Sequence, residues 1–481
     1  MNHTSALVLS LLLLGAISYS VTASFLVPFV RRFAISRGWV DDPARSVRKV
    51  HKEPVPYFGG VAIYLGFLFS VIVNYVFFHR LNSSMEYPSW FLSFIVGAFF
   101  ILSIGTLDDI YDISPVKKLF SQLFIASLVF LGGVQLDHIN LPILGLVEFG
   151  QISYLITVFV IVIVMNAVNI IDGLDGLAAG IVLIASFANL AMALYLELYF
   201  VALLAFIFIF CLAAFLKFNW YPAGMFLGDG GSLLISFILS VIMIQNVQAS
   251  GKFSQGAAPF LVLFYPLLDL AFAIVRRVIK GKPMMSADNA HLHHFLMRNG
   301  FGHDGCVKII MFFTGIMLIA ALLFIFHLFI PGLLLLLLIL AGLTAFFIYT
   351  GYFKPVLLNR YLQNRSRFKA LHAYKNFLLI KVRHAESKDD LWSMMSGMAV
   401  EFSLPAISWF GNGNSERKIG EFSVPSLQIK SEKLVNSGTR FEYYIRQDFD
   451  DYIKAEIESF VKMVITAVDK RYGYLKKMGG V

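Results

Sequence analysis

The stretch "NAVNIIDGLDGLAAG", residues 166–180, separates two long apolar runs with two asparagines and two aspartates at every third position: Asn166, Asn169, Asp172 and Asp175. If the stretch is helical, steps of three carry these side chains along one slowly drifting face. Ionisable groups near lipid are expensive and tend to face a wet cavity. The stretch therefore reads as one wall of a polar cleft in a chain that otherwise belongs in a membrane.

The composition around it agrees. The chain has 481 residues, 58% hydrophobic and 14% charged, with mean hydropathy +0.74. Soluble domains carry about 25% charged residues. Its two cysteines, Cys211 and Cys306, cannot build a disulfide scaffold. A net charge of +9 suits nucleic acid in principle, but its placement argues for membrane topology and no nucleic-acid partner.

Eleven apolar segments are long enough to span a bilayer: 6–30, 60–79, 90–106, 119–134, 152–168, 176–196, 199–216, 231–247, 259–279, 309–328 and 332–353. The first has no cation before it and Arg31–Arg32 directly after it, the opposite of a cleavable signal peptide. It reads as a retained helix entering from an outside N-terminus. The inside loops are then 31–59, 107–118, 169–175, 217–230 and 280–308, with the tail after 353. Lys and Arg are dense in these loops, while the outside loops offer only Arg80 and Lys252, as the positive-inside rule requires. The expected fold is an all-α polytopic membrane protein of about eleven transmembrane helices over 1–355. A small α/β cytoplasmic domain follows over 356–481. In that tail "ESKDDLWSMMSGMAVEF" and "DDYIKAEIESFVKMVITAVDKRYGYLKK" read as helices. "PAISWF", "EFSVPSLQIK" and "RFEYYIRQ" read as strands, and "GNGNSERKIG" as a loop. The tail is loosely similar to a GAF-type sensor domain and carries no catalytic motif, so regulation or docking is its expected role.

Four further polar motifs fall in the inside loops. "RKVHKEPVPYFGG" places Lys49, His51 and Lys52 before two stiffening prolines and Gly59–Gly60, which let backbone come close to something. Cations on a stiff loop suit a phosphate-bearing ligand, though basic juxtamembrane loops are common. "GTLDDIYDISPVKK" holds Asp108, Asp109 and Asp112 at helical spacing, with Lys117 and Lys118 near enough simply to balance them. Clustered carboxylates otherwise suit a hard divalent cation or a base. In "MFLGDGGSLL", glycine N–H groups at a helix start favour anions. Asp229 repels anions there unless a metal bridges it to phosphate, and the bland reading is a helix cap. "DNAHLHHFL" gathers His291, His293 and His294 without a cysteine partner, as a diphosphate-recognition group beside Arg276 and Arg277 or as an ordinary surface cluster. Asp, Asn, Lys, Arg and His from five separated stretches on one membrane face describe metal-assisted phosphoryl transfer. A transporter is the alternative of a different class, although transporter sites lie near the bilayer midplane.

These motifs, together with "PLLDLAFAIVRR", occur in the order of the polyprenyl-phosphate N-acetylhexosamine-1-phosphate transferases, and the chain resembles that family over about residues 1–355. The resemblance implies eleven membrane helices and a site on the cytoplasmic face of the inner membrane. It implies transfer of a sugar-1-phosphate from a UDP-N-acetylhexosamine to undecaprenyl phosphate, releasing UMP, with Mg²⁺ or Mn²⁺. Such a product initiates cell-envelope polysaccharide synthesis. Carried over residue by residue, Asp229 and Asn169 would hold the metal. Asp108, Asp109 and Asp172 would be the catalytic carboxylates. Lys49, His51, Lys52, Asn166, Asp175, Arg276, Arg277, His291, His293 and His294 would bind substrate. The related phospho-N-acetylmuramoyl-pentapeptide translocases carry three consecutive histidines. Leu292 interrupts the run here, which favours the N-acetylhexosamine branch. The oligomeric state, monomer or homodimer, is left open.

Overall fold

The computed structural model describes residues 13–41, 54–78, 87–141, 144–279, 291–349, 365–401, 406–411, 414–420, 427–433, 440–446 and 451–477. The chain divides into two compact units, Met1–Arg277 with Met284–Lys354, and Val278–Pro283 with Pro355–Val481.

Among the described residues of the first unit, nine helices are long and apolar enough to cross a membrane. They are α1 (Leu13–Ser36), α2 (Gly59–Val73, running on to Val76), α3 (Phe91–Tyr111), α5 (Ser153–Ile171, entered through the turn at Gly150), α6 (Leu177–Tyr195), α7 (Tyr199–Asn219), α8 (Gly228–Gln248), α12 (His303–Ile325) and α13 (Phe329–Tyr349, apolar through Phe346). A tenth candidate is a broken pair, α9 (Phe253–Val262) and α10 (Phe264–Ile279), bent by 74°. The expected span 119–134 coincides with α4 (Pro115–Leu131), whose 17 residues make it shorter than these. At 1.5 Å per residue it falls a little short of a hydrocarbon core of about 30 Å. Its two ends nonetheless lie at opposite ends of the bundle. Lys118 ion-pairs with Asp229 at the start of α8. Beyond the other end, the Asp137 amide donates to Gln248 Oε1 at the finish of α8, 2.8 Å away.

α8 is the central element. Every residue from Gly230 to Ile244 is buried, including Ser232, Ser236 and Ser240, so other helices rather than lipid surround it. Small residues let its neighbours close in. A Cβ on Gly60 of α2 would lie 2.4 Å from Gly231 Cα, and one on Gly105 of α3 would lie 2.5 Å from Gly230 Cα. The glycines of "PYFGG" and "GDGGS" thus bring helix backbones together. The Gly59 amide donates to the Phe226 carbonyl at 3.0 Å, while a two-residue ladder joins β1 (Val40–Asp41) to β2 (Val55–Pro56). A hairpin of β3 (His138–Leu141) and β4 (Gly145–Glu148) covers the far end, where Asn140 Nδ2 donates to the Gly251 carbonyl at 2.7 Å.

The second unit holds α14 (Arg365–His384), α15 (Lys388–Glu401), a four-stranded antiparallel sheet and α16 (Asp451–Lys477). The strands β5 (Ala406–Gly411), β6 (Asn414–Gly420), β7 (Leu427–Lys433) and β8 (Arg440–Arg446) lie in the order β6-β5-β8-β7. The sequence "GNGNSERKIG", read above as a loop, supplies β6 instead. Ile419 pairs with Ile407 and Arg417 with Trp409. α14 was not anticipated at all. Its Leu378 and Val382 pack with Trp409, Tyr443, Val461 and Val464 in one apolar core.

Candidate active site

The ladder of residues 166–175 breaks where the expectation had it continue. α5 ends at Ile171, Asp172 occupies its C-cap, and Gly176 opens α6 with φ of 78°, a conformation for which glycine is the natural choice. The four polar residues therefore fan out. Asn166 stays within the bundle, where its Nδ2 donates to Gln122 Oε1 of α4 at 2.6 Å and to the Val162 carbonyl at 2.8 Å. It is not among the described residues lining the cavity below, and its bond to Gln122 ties α4 to α5. Asn169, one turn on, donates to both Asp229 Oδ1 and Ser232 Oγ. Asp175 accepts from the Ala223 amide at 3.0 Å and lies 3.8 Å from His303 Nε2.

Asp229 is the node of the cluster. Its Oδ2 lies 2.9 Å from Lys118 Nζ, which also lies 2.9 Å from Asp108 Oδ2. The other Asp108 oxygen accepts from the Ile113 amide at 2.7 Å, closing the end of α3. Lys118, first read as charge balance, thus bridges the two carboxylates. Asp109 meets the Asp229 and Gly230 amides at 2.8 and 3.2 Å. The helix start was expected to offer free N–H groups to an anion or to be capped from its own sequence. Its anion is Asp109, supplied by α3. An anionic oxygen there offsets unpaired donors and the positive end of the helix dipole. Asp112, expected to converge with Asp108 and Asp109, is exposed beyond the helix end.

Beside this cluster lies a cavity of about 810 Å³ lined among others by Asp109, Asn169, Asp172, Asp175, Asp229 and His294. The size is that of a pocket for a cofactor-sized ligand. Burial first, then the neighbouring Asp229, Asp109 and Asp175 carboxylates, push the Asp172 carboxyl well above its ordinary range. Carboxylates gathered this closely suit a divalent cation. The donors present are hard oxygen ligands, chiefly Asp229 and the adjoining Asn169, which fit Mg²⁺ or Mn²⁺. Among the described residues no group of three His, Cys, Asp or Glu side chains forms a closed cation site. Mg²⁺ usually takes one or two protein carboxylates and completes its shell on substrate phosphates and water.

The histidine motif sits at α11 (Leu292–Arg298). His294 lines the cavity. His293 is buried, and a Cβ on Gly173 would lie 3.2 Å from its Nε2. Gly173 therefore leaves room for this ring. Burial, and then His294, lower the His293 pKa to about 3, so its ring is neutral. His291 Nδ1 lies 2.9 Å from Asp269 Oδ2, and Asp269 Oδ1 accepts the Leu292 amide at 3.0 Å. The fully enclosed Asp269 thus holds one histidine and caps the helix bearing the other two. Sequence reasoning quoted "PLLDLAFAIVRR" without giving Asp269 a role, although a carboxylate inside an apolar run is itself a signal. It also missed Arg31 and His303, both in the cavity wall. Arg31 Nε donates to the Gly224 carbonyl at 3.0 Å, and His303 stacks on Tyr221 with centroids 4.5 Å apart. Arg31 had been read as a topology marker, and a single histidine opening an apolar helix carries no pattern. Arg276 and Arg277, in the last turn of α10, are not among the described residues lining the cavity. Lys49, His51 and Lys52 lie outside the described residues.

Comparison with known proteins places this cavity in a family. The profile of glycosyl transferase family 4 matches residues 91–247, the span from α3 to α8 that contains Asp108, Lys118, Asn169 and Asp229. A Bacillus subtilis protein described as a probable undecaprenyl-phosphate N-acetylglucosaminyl 1-phosphate transferase is 34% identical over 303 residues, 63% of this chain and 82% of the relative. The decaprenyl-phosphate N-acetylglucosaminephosphotransferase of Mycolicibacterium smegmatis is 31% identical, over 64% of this chain and 81% of its own. The undecaprenyl-phosphate alpha-N-acetylglucosaminyl 1-phosphate transferase of Escherichia coli K12 is 29% identical, over 57% and 73%.

Proposed function

The chain belongs to glycosyl transferase family 4, and from that footing we propose that it moves an N-acetylhexosamine-1-phosphate from a UDP-sugar to undecaprenyl phosphate, releasing UMP. The observation that carries this reading is Asp229, held by Lys118 and Asn169 at the wall of a polar cavity. It is a multi-pass membrane protein. The reading adds eleven crossings of the inner membrane with α4 as the short one, an outside N-terminus, and both the cavity and the tail in the cytoplasm. Gathering of the polar groups at one end of the bundle favours an enzyme working at the membrane surface over a transporter with a midplane site.

In this mechanism Asp229 and Asn169 would hold the Mg²⁺ or Mn²⁺ ion, which supplies charge neutralisation to the diphosphate when bound. Asp109 fixes the start of α8, so Asp229 does not reorient as charge develops. Preorganised groups of this kind stabilise a transition state without reorganisation cost. Lys118 spreads positive charge across Asp108 and Asp229 and keeps them from repelling the donor. The lipid phosphate is largely dianionic at neutral pH, so its oxygen attacks the β-phosphorus without first losing a proton. The bond from the β-phosphorus to the bridging oxygen breaks, and UMP departs with that oxygen. His294 presents an imidazole at the cavity wall beside the sugar diphosphate, with the neutral His293 ring 4.3 Å from it and His291 oriented by Asp269. Lys49, His51 and Lys52 complete the proposed cationic lining, and Arg276 and Arg277 stand outside the cavity's described wall, at the end of α10.

Purified protein supplied with undecaprenyl phosphate and, side by side, UDP-N-acetylglucosamine, UDP-N-acetylgalactosamine and UDP-N-acetylmuramoyl-pentapeptide tests the donor class. Turnover of a UDP-N-acetylhexosamine with little of the pentapeptide donor is expected from "HLHH". Preference for the pentapeptide donor would move the chain to the other branch.

A further inference from the structure

The second unit presents a surface that its own packing leaves unused. α14 turns Leu378, Val382 and Ala385 into the core. On its outer face Phe377 and Ile380 are 50% and 58% exposed, with Lys381 Nζ 4.7 Å above the Phe377 ring. By sequence α14 carries Arg365, Arg367, Lys369, Lys375, Lys381 and Arg383 and neither Asp nor Glu. Alongside runs a groove of about 530 Å³ between α14 and α16, its floor including Leu379 and Met463 and its edge Arg383, Lys470 and Arg471. Arg471 is held in place by donating to the Ala385 carbonyl at 2.9 Å.

We propose that this face of α14 docks on the anionic lipid surface of the bilayer, with Phe377 and Ile380 at the boundary of headgroups and acyl chains and the cations on lipid phosphates. Three observations converge. A cationic helix with exposed apolar side chains flanked by Lys and Arg has the composition of an interfacial helix. The charge is of one sign and complementary to anionic lipid. The chain also keeps the surface within reach, because the apolar helix α13 ends at Tyr349 and α14 begins at Arg365, an extended path of at most roughly 55 Å. A soluble polyanion such as RNA would use the cations but leave Ile380 with nothing to contact. The proposal does not depend on the transferase reading.

The test uses the full chain in nanodiscs of phosphatidylcholine with and without phosphatidylglycerol. Both natural cysteines are buried, so Ile380→Cys, or Phe377→Cys as a second probe, takes a single environment-sensitive fluorophore. Nitroxide-bearing acyl chains should quench that label about twofold more strongly when the anionic lipid is present. They should quench it more than the same label at the exposed Ser393→Cys on α15. Lys381→Glu with Arg383→Glu should return the quenching to its phosphatidylcholine level. Equal quenching at positions 380 and 393 in anionic discs would overturn the proposal. So would shielding of the label from an aqueous quencher by added RNA, with no effect of phosphatidylglycerol.

Discussion

Asp109 separates two accounts of an acidic pair. Its carboxylate takes the first amides of α8, so in the proposed mechanism it holds Asp229 in place. Loss of a helix cap costs about 1 kcal/mol. Asp109→Ala should therefore lower the thermal midpoint of the purified protein, and Asp109→Asn, which keeps one acceptor oxygen, should lower it less. Unchanged midpoints in both variants would show that the cap contributes nothing. At this scale the sequence was legible wherever a residue type could serve few purposes. Asp229, Asn169, Asp172, Asp175 and His294 do gather at one cavity. It was illegible where a role depends on a partner from a distant helix. Nothing in "PVKK" says that Lys118 bridges Asp108 to Asp229, and nothing in the ladder's spacing says that Asn166 is spent on Gln122.

Among the elements, α11 has a chemistry of its own. His293 is buried against Gly173 with its pKa lowered to about 3. The folded protein then excludes a proton that the unfolded chain accepts below pH about 6.5. Stability from this group is complete above that pH and declines as pH falls towards 3, by up to about 1.4 kcal/mol per pH unit. Thermal midpoints measured from pH 7.5 down to pH 4.5 should therefore fall less steeply in His293→Gln than in the wild type. Matching slopes would mean that the ring is not held neutral. The ladder teaches a related lesson about periodicity. Steps of three predicted one helical face, but Asp172, Gly173 and Gly176 end the helix and reverse the chain, so turn chemistry overrode the period. Gly59–Gly60 of "PYFGG" carried a true signal of close approach, while the glycines of "GDGGS", read for their N–H groups, take part in the same approach. What approached was another helix.

For the whole molecule, apolar run lengths located the helices of the first unit well, because length and hydropathy are the membrane's only demands on them. The antiparallel sheet was harder to read. Its strand β6, "NSERKIG", is nearly all polar, so it lacks the apolar–polar alternation by which an antiparallel strand is recognised. α14 was hidden by its cations, which look like a solvated segment. The division of the chain at Lys354–Pro355, with every candidate catalytic group before it, predicts a division of labour. A chain ending near residue 360 should still insert and still release UMP, at a rate altered by loss of the tail. A well-folded truncated protein with no transfer at all would assign part of the active site to the second unit.

The central claim is that Asp229 organises the meeting of a water-soluble diphosphate with a lipid phosphate. Its most direct test is UMP release from UDP-N-acetylglucosamine by detergent-purified protein, with and without undecaprenyl phosphate, in the wild type and in Asp229→Asn. The account predicts UMP and lipid-linked sugar diphosphate in equal amounts only when both substrates are present. It predicts a fall of at least about a hundredfold in the variant, the scale for removing one preorganised electrostatic group, at an unchanged thermal midpoint. Release that persists undiminished in a folded Asp229→Asn protein would contradict it.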